Sequence, residues 1–256
     1  MKTFCFTIDD NIRFLRELTL EHADSLFAHP YTRLLKELYD TYGVKVQLNL
    51  FYQEKDFTLM QVTDRFRREW QENADWLKLS FHSREETVRP YQNADYQTVY
   101  DDCAAVQREI KRFAGERALA KTTTIHYCET TRAGVVALKE NGVQGLLGLY
   151  GTREAPRVSY GCSEKAGDAL RKGEIVRYDG VAFMGIHTVL NCFSVEEILA
   201  RLAEGQERET LSVMIHEQYF YPDYHLYQKD FKEKLETTFD FLRKHGFESK
   251  FFEEMI

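Results

Sequence analysis

Several ionisable side chains in this sequence stand where apolar runs end. Cys5-Phe6-Thr7-Ile8 stops on Asp9 and Asp10, and His82, His126 and His216 each directly follow an apolar stretch. Carboxylate oxygen and imidazole nitrogen are donors that suit Zn²⁺ and other first-row divalent ions. Three such ligands leave a coordination position for water or substrate. An ion held in this way acidifies its water and polarises a carbonyl. A second carboxylate nearby can take the water's proton, and a histidine on the other side can protonate the leaving group. The residue types therefore point to metal-assisted hydrolysis.

That chemistry requires the chain to gather residues far apart in sequence. Lys2 to Ile8 reads as a first strand, whose exit turns both acids toward one pocket. Helices are expected over Asn11 to Leu18, Pro30 to Tyr42, Gln61 to Ala74, Tyr96 to Phe113, Thr131 to Asn141 and Lys229 to Lys244. Pro30 suits a first helical turn, Gly43 a helix stop, and Leu34, Leu35 and Leu38 share one face. Ser194 opens another helix through about Ala203, with Glu197 at capping-box spacing. Strands are expected over Val44 to Phe51, Trp76 to Phe81, Lys121 to Ile125, Val143 to Tyr150, Leu211 to Ile215 and Phe247 to Phe252. Asp179-Gly180 marks a hairpin between Glu174 to Tyr178 and Val181 to Met184. Strands alternating with helices imply parallel pairing with helical crossovers. Seven or eight such units fit a (β/α) barrel better than an open sheet, with the acids and histidines on the rim where strands end.

Composition narrows the function classes. The 256 residues are 43% hydrophobic and 14% aromatic, which suits a single α/β domain over residues 1–256. The net charge of -7 comes from 34 basic and 41 acidic residues, with the basic ones scattered among acids. This argues against a nucleic-acid partner. No apolar run is long enough for a membrane span, and the opening residues read as a strand rather than a signal peptide. A cytoplasmic location is the default expectation. The five cysteines form no Cys-x-x-Cys motif and read as reduced thiols. Cys5 and Cys103 fit core positions, and Cys128 lies beside His126.

Thr7-Ile8-Asp9-Asp10 resembles the Thr-Phe-Asp-Asp opening of the polysaccharide deacetylase (NodB-like) family. Phe81-His82-Ser83 resembles its His-Ser/Thr-x-x-His motif, and Val213-Met214-Ile215-His216 its late Leu-x-His motif. Leu235-Glu236 through Phe241-Leu242-Arg243-Lys244-His245-Gly246-Phe247 is similar to its closing helix and strand. Order and spacing agree over nearly the whole chain. The resemblance implies a distorted (β/α) barrel with one divalent metal, Zn first and Co or Mn as alternatives. It implies Asp9 as general base, Asp10 and His82 as metal ligands and His216 as general acid. The family's reaction is hydrolysis of an N- or O-acetyl group on a carbohydrate.

Two departures stand out. Glu86 replaces the second histidine of His82-Ser83-Arg84-Glu85-Glu86, and converges on His82 as a metal ligand if that segment is one helical turn. Thr124-Ile125-His126-Tyr127-Cys128-Glu129 stands where Arg-Pro-Pro-Tyr-Gly is expected, so His126 and Tyr127 are expected at the substrate, with His126 an alternative ligand. Arg84, Glu217 and Tyr219 complete the expected substrate contacts. Arg89 and Tyr91 share the loop with Arg84, and the tyrosine-rich stretch Tyr219 to Tyr227 suits sugar stacking. His22, His29, His187, His225 and His245 are read as lying outside the site. The departures leave two further readings: a non-catalytic carbohydrate-binding barrel, or a glycosidase using paired carboxylates. Oligomeric state is left open.

Overall fold

The computed structural model describes residues 1–21, 23–151 and 158–256; His22 lies outside them. The chain opens with β1 (Lys2–Asn11), α1 (Arg13–Leu20), α2 (Pro30–Tyr42) and β2 (Val46–Phe51). A small hairpin, β3 (Gln53–Glu54) and β4 (Phe57–Thr58), precedes α3 (Arg67–Glu72), β5 (Leu77–Ser83) and α4 (Tyr96–Phe113). Next come β6 (Thr122–Thr123), α5 (Arg132–Glu140), β7 (Gly145–Gly148) and α6 (Glu164–Arg171). The chain then runs through β8 (Val176–Tyr178), β9 (Val181–Gly185), β10 (Thr188–Val189), α7 (Val195–Gly205), β11 (Thr210–His216), α8 (Phe231–Lys244) and β12 (Phe247–Ser249).

One sheet runs β10-β11-β1-β2-β5, all parallel, with β12 beside the start of β1. A second runs β6-β7-β9-β8, in which only the β8 hairpin edge is antiparallel. The strand that begins as β9 beside β7 continues as β10 beside β11. At this handover Ile186 N donates to Gly148 O at 2.8 Å and His187 N to Ser212 O at 2.9 Å. At the other junction, β5 meets β6 through a single bridge, Leu79 with Leu119, and Ala120 N donates to Leu79 O at 2.8 Å. Ser80 Oγ donates to Thr122 O at 2.8 Å across the same junction. The parallel strands follow the order β1, β2, β5, β6, β7, β9 and β11, in keeping with the expected distorted (β/α) barrel, and are divided between two sheets.

Local sequence explains most elements. The α2 helix begins with His29 accepting from Tyr31 N and Pro30 in its first turn, and ends at Gly43 with φ 67°. The α7 helix carries the Ser194/Glu197 capping box. The β8–β9 hairpin turns at Asp179 (φ 52°) and Gly180 (φ 80°), the positive pair a tight hairpin needs. Phe6, Phe14, Trp70, Phe81, Phe113, Phe183 and Phe239 are among the fully buried core side chains. No described helix is long and apolar enough to cross a membrane.

Two expectations need correcting. The helix expected over Gln61 to Ala74 is only α3, preceded by a 3-10 turn, Leu59–Gln61. The Arg112 guanidinium explains the break: it donates to the carbonyls of Leu59 (2.8 Å), Met60 (3.2 Å) and Val62 (3.0 Å), which a continuous helix would use itself. The strand expected over Lys121 to Ile125 shrinks to Thr122–Thr123, because the chain turns at His126–Cys128 into a short 3-10 segment.

Candidate metal centre and active site

The adjacent acids reach one hollow because β1 is irregular at its end. Ile8 pairs with Leu48 but Asn11 with Leu50, so the β1–β2 ladder breaks over Asp9 and Asp10. Asp10 takes φ 61°, a left-handed conformation that re-aims its side chain. The β2–β5 register shifts again between Leu50 and Phe51, beside His82. His126 sits just past β6, followed by Tyr127 (φ 63°) and Cys128 (φ 55°). Every member of the group occupies a break in regular pairing or the turn that ends it.

Asp10 Oδ1 lies 3.0 Å from His82 Nε2 and 3.2 Å from His126 Nδ1, and the two nitrogens are 3.1 Å apart. A tetrahedral ion with bonds of about 2.0 Å sets its ligands about 3.3 Å apart, so this near-equilateral triangle matches one face of such a site. Hydrogen-bond bookkeeping supports the same fit. His82 Nδ1 donates to Thr124 O at 2.5 Å, so the neutral ring presents a lone pair at Nε2 toward the triangle. Asp10 Oδ1 is buried with no donor aligned to it. His126 Nδ1 is within hydrogen-bond distance of His82 Nε2, so a cation at the triangle would take the place of the proton between them. Asp10, His82 and His126 are also a cluster of ligand atoms with metal spacing. Gln218 Nε2 donates to the other Asp10 oxygen at 2.7 Å and orients the carboxylate.

Asp9 and His216 flank this centre and are partners in the β1–β11 register. Asn49 Nδ2 donates to Asp9 Oδ1 at 2.6 Å, and Gln47 Nε2 in turn donates to Asn49 Oδ1 at 2.8 Å. Burial pushes the Asp9 carboxyl well above the usual range, the Asn49 bond opposes this, and the Asp10 charge adds to it. Burial acts on Asp10 in the same sense, but the imidazoles of His126 and His82 outweigh it and hold Asp10 well below that range. Neighbouring carboxyls are thereby driven apart into different protonation roles. His216 Nδ1 donates to Asn191 Oδ1 at 2.8 Å, and burial lowers its pKa against the pull of Asp10.

Together these residues line a hollow of about 490 Å³, with Leu149, Val189, Met214 and Tyr219 on its walls. Tyr127 and Glu86 line it as well, both exposed. Glu86, expected as a ligand, lies outside the close cluster of Asp10, His82 and His126. Residues 84–86 form a bend rather than a helical turn, and Gln53 Nε2 holds the neighbouring Glu85 at 2.6 Å. His126, expected at the substrate, takes the place beside Asp10 and His82.

Arg84 and Glu217 are not brought to the hollow's lining. Arg84 Nη1 pairs with Asp102 at 3.3 Å and its guanidinium lies over Tyr52 at 5.0 Å. Tyr91 Oη donates to Asp102 Oδ2 at 3.0 Å, so this loop is braced on α4. Arg89 lies 3.8 Å from Glu129 Oε2. Glu217 is buried at the start of α1, where Ile12 N (2.8 Å), Arg13 N (3.2 Å) and Phe14 N (2.8 Å) all donate to it. Tyr221 Oη adds a fourth bond at 2.6 Å. A carboxylate from β11's exit thus supplies the cap that α1's own Ile12 lacks. Glu217→Ala should lower unfolding free energy by about 1–3 kcal/mol by stranding buried N–H groups, read by urea denaturation. Burial also pushes this carboxyl up to about 7 despite its donors. Its pH-linked contribution is therefore complete below the unfolded carboxyl value and is lost as pH rises through about 7.

Asn49, Asn191 and Gln218 were missed by the sequence reading. Asn49 carried a signal: Gln47 and Asn49 alternate with Val46, Leu48 and Leu50 in an otherwise apolar strand, which aims both amides at one face.

No protein-family model matches the chain, and no curated protein matches it. Solved structures do. A family 4 acetyl xylan esterase from Clostridium thermocellum, in complex with a cobalt ion, is 15% identical at TM-score 0.58, over 99% of this chain and 90% of that one. A CE4 family pseudoenzyme from Bacillus anthracis is 11% identical at TM-score 0.54, over 99% of this chain and 64% of that one. The 4-alpha-glucanotransferase from Thermococcus litoralis is 11% identical at TM-score 0.59, over 99% of this chain and 40% of that one. These likenesses, at 11–15% identity, establish the fold alone. An esterase, a pseudoenzyme and a glycosyl-transferring enzyme share it, so activity has to be argued from the site.

Proposed function

We propose that this chain is a metal-dependent hydrolase that removes an acyl group, acetyl in the simplest case, from a carbohydrate ester or amide. The observation that carries the reading is the Asp10–His82–His126 triangle with Asp9 and His216 beside it in one hollow. Asp10, His82 and His126 would hold a divalent ion, zinc first and cobalt or manganese as alternatives. When bound, such an ion acidifies water and polarises a carbonyl.

The remaining steps belong to the side chains. One Asp9 oxygen is committed to Asn49, which leaves the other to accept a proton from the attacking water. His216 is oriented by Asn191 through Nδ1, so its Nε2 edge is the one that gives a proton to the leaving oxygen or nitrogen. Leu149, Val189 and Met214 suit the acyl group, and Tyr127 and Tyr219 at the walls suit a sugar ring.

The test is acetate release from acetylated xylo-oligosaccharides and from N-acetylglucosamine oligomers, with Zn²⁺, Co²⁺ or Mn²⁺ added. Release should vanish on chelation and return on reloading. A second reading, carbohydrate binding without turnover, is favoured by one feature: Asp9 is tethered by a neutral amide and its carboxyl is pushed toward the protonated form. Metal uptake and sugar binding by calorimetry with no acetate released would select that reading.

A further inference from the structure

A second cleft, of about 360 Å³, opens on the outer side of the β9–β10 handover and is lined by Arg171, His187, Arg201, Glu204 and Arg208. These residues come from the end of α6, the β9–β10 link, α7 and the turn before β11. Among the described residues, Arg171 pairs with Asp168, outside the lining, at 2.5 Å. Arg171 Nη1 also donates to Gly151 O at 3.1 Å. Arg208 Nη2 donates to Arg171 O at 3.0 Å, and Arg201 Nη2 to His187 O at 3.3 Å. Arg201 lies over the Phe193 ring at 4.5 Å, and its Nε is buried without an acceptor.

The electrostatics are unbalanced. Burial lowers the Arg208 pKa, with Glu204 opposing the shift. Burial and then the charges of Arg208 and Arg201 hold His187 down at about 4, so it is neutral. Partly buried cations are costly when left without a counter-charge, and among the described residues that line the cleft Glu204 is the only acid. Guanidinium groups match the tetrahedral oxygens of phosphate through paired N–H donors.

We infer that this cleft is a binding site for a phosphate group, supplied as inorganic phosphate or as a phosphate monoester, held by Arg201 and Arg208 with Arg171 at its edge. The site is separate from the hydrolytic hollow. The β9–β10 link stands between them, with His187 in the cleft and Val189 lining the hollow.

Calorimetry and thermal melting of the whole chain test this with inorganic phosphate and with glycerol phosphate, at ionic strength matched with sodium chloride. Saturable binding of either probe, with a melting shift absent in chloride, is the expected result. Binding of phosphate alone would identify the free anion as the ligand, and binding of both would admit the monoester. The double variant Arg201→Gln/Arg208→Gln should lose at least tenfold in affinity. Glu204→Gln keeps both arginines and should bind several-fold more tightly, which keeps the test decisive if the double variant does not fold. The inference is overturned by no binding of either probe, by binding that survives loss of both arginines, or by an unchanged affinity in Glu204→Gln.

Discussion

His126→Ala should weaken Zn²⁺ or Co²⁺ binding by more than the about 10–100-fold that outer-shell partners of a metal command, whereas Glu86→Ala should leave it close to that of the parent protein. His126 Nδ1 stands 3.2 Å from Asp10 Oδ1, inside the triangle, and Glu86 stays exposed at the rim. A chromophoric chelator competing for zinc gives the affinities, and the visible spectrum of the cobalt protein reports the ligand number. The opposite order of effects would restore Glu86 as the third ligand and remove the basis for the triangle. His82→Ala should resemble His126→Ala, because both imidazoles face the same carboxylate oxygen.

Asp9→Asn should lower kcat/KM for acyl hydrolysis by about 10²–10⁴-fold, the range for losing a positioned general base, with metal affinity nearly intact. The separation of the two effects is the informative part. Asp9 is outside the metal triangle, and one of its oxygens is bound to Asn49 at 2.6 Å. The pH profile follows from the same bond. Asp9 works as a base only when ionised, so the rate should climb as pH rises through its pKa, which burial raises in the metal-free protein and a bound cation would pull back down. Asn49→Leu removes a donor that favours the charged form, so the ascending limb should move to higher pH. A limb that stays in place would assign the titration to another group.

Much of this architecture was readable because it is set locally. The helices Pro30 to Tyr42 and Tyr96 to Phe113 carry their own caps and stops, and they appear with those bounds. The two acids near the end of β1 and the histidines at the ends of β5 and β11 follow from a simple regularity: apolar strands end where parallel barrels place polar groups. The third proposed ligand was not readable in the same way. Choosing His126 over Glu86 depends on how closely β6 comes to β5, a distance set by packing rather than by any spacing along the chain. Glu217 shows the same limit. Its partners, Ile12 to Phe14, lie more than 200 residues away in sequence, so an acid beside the proposed general acid looked like a substrate contact. The shortened α3 depends on Arg112, which reaches the carbonyls of Leu59, Met60 and Val62 from a different helix.

The thin junction between β5 and β6 gives the proposed ion a mechanical part to play. Asp10 and His82 belong to one sheet, and His126 follows the first strand of the other. Among the described residues one backbone bridge crosses the gap below them, and most of the other links are side-chain hydrogen bonds. A bound cation would act as a clasp between the two halves, with coordination bonds doing what the missing rungs do not. Amide hydrogen exchange along Leu119 to Thr124 should then slow markedly on loading, while α7 and α8 on the far side keep the same protection.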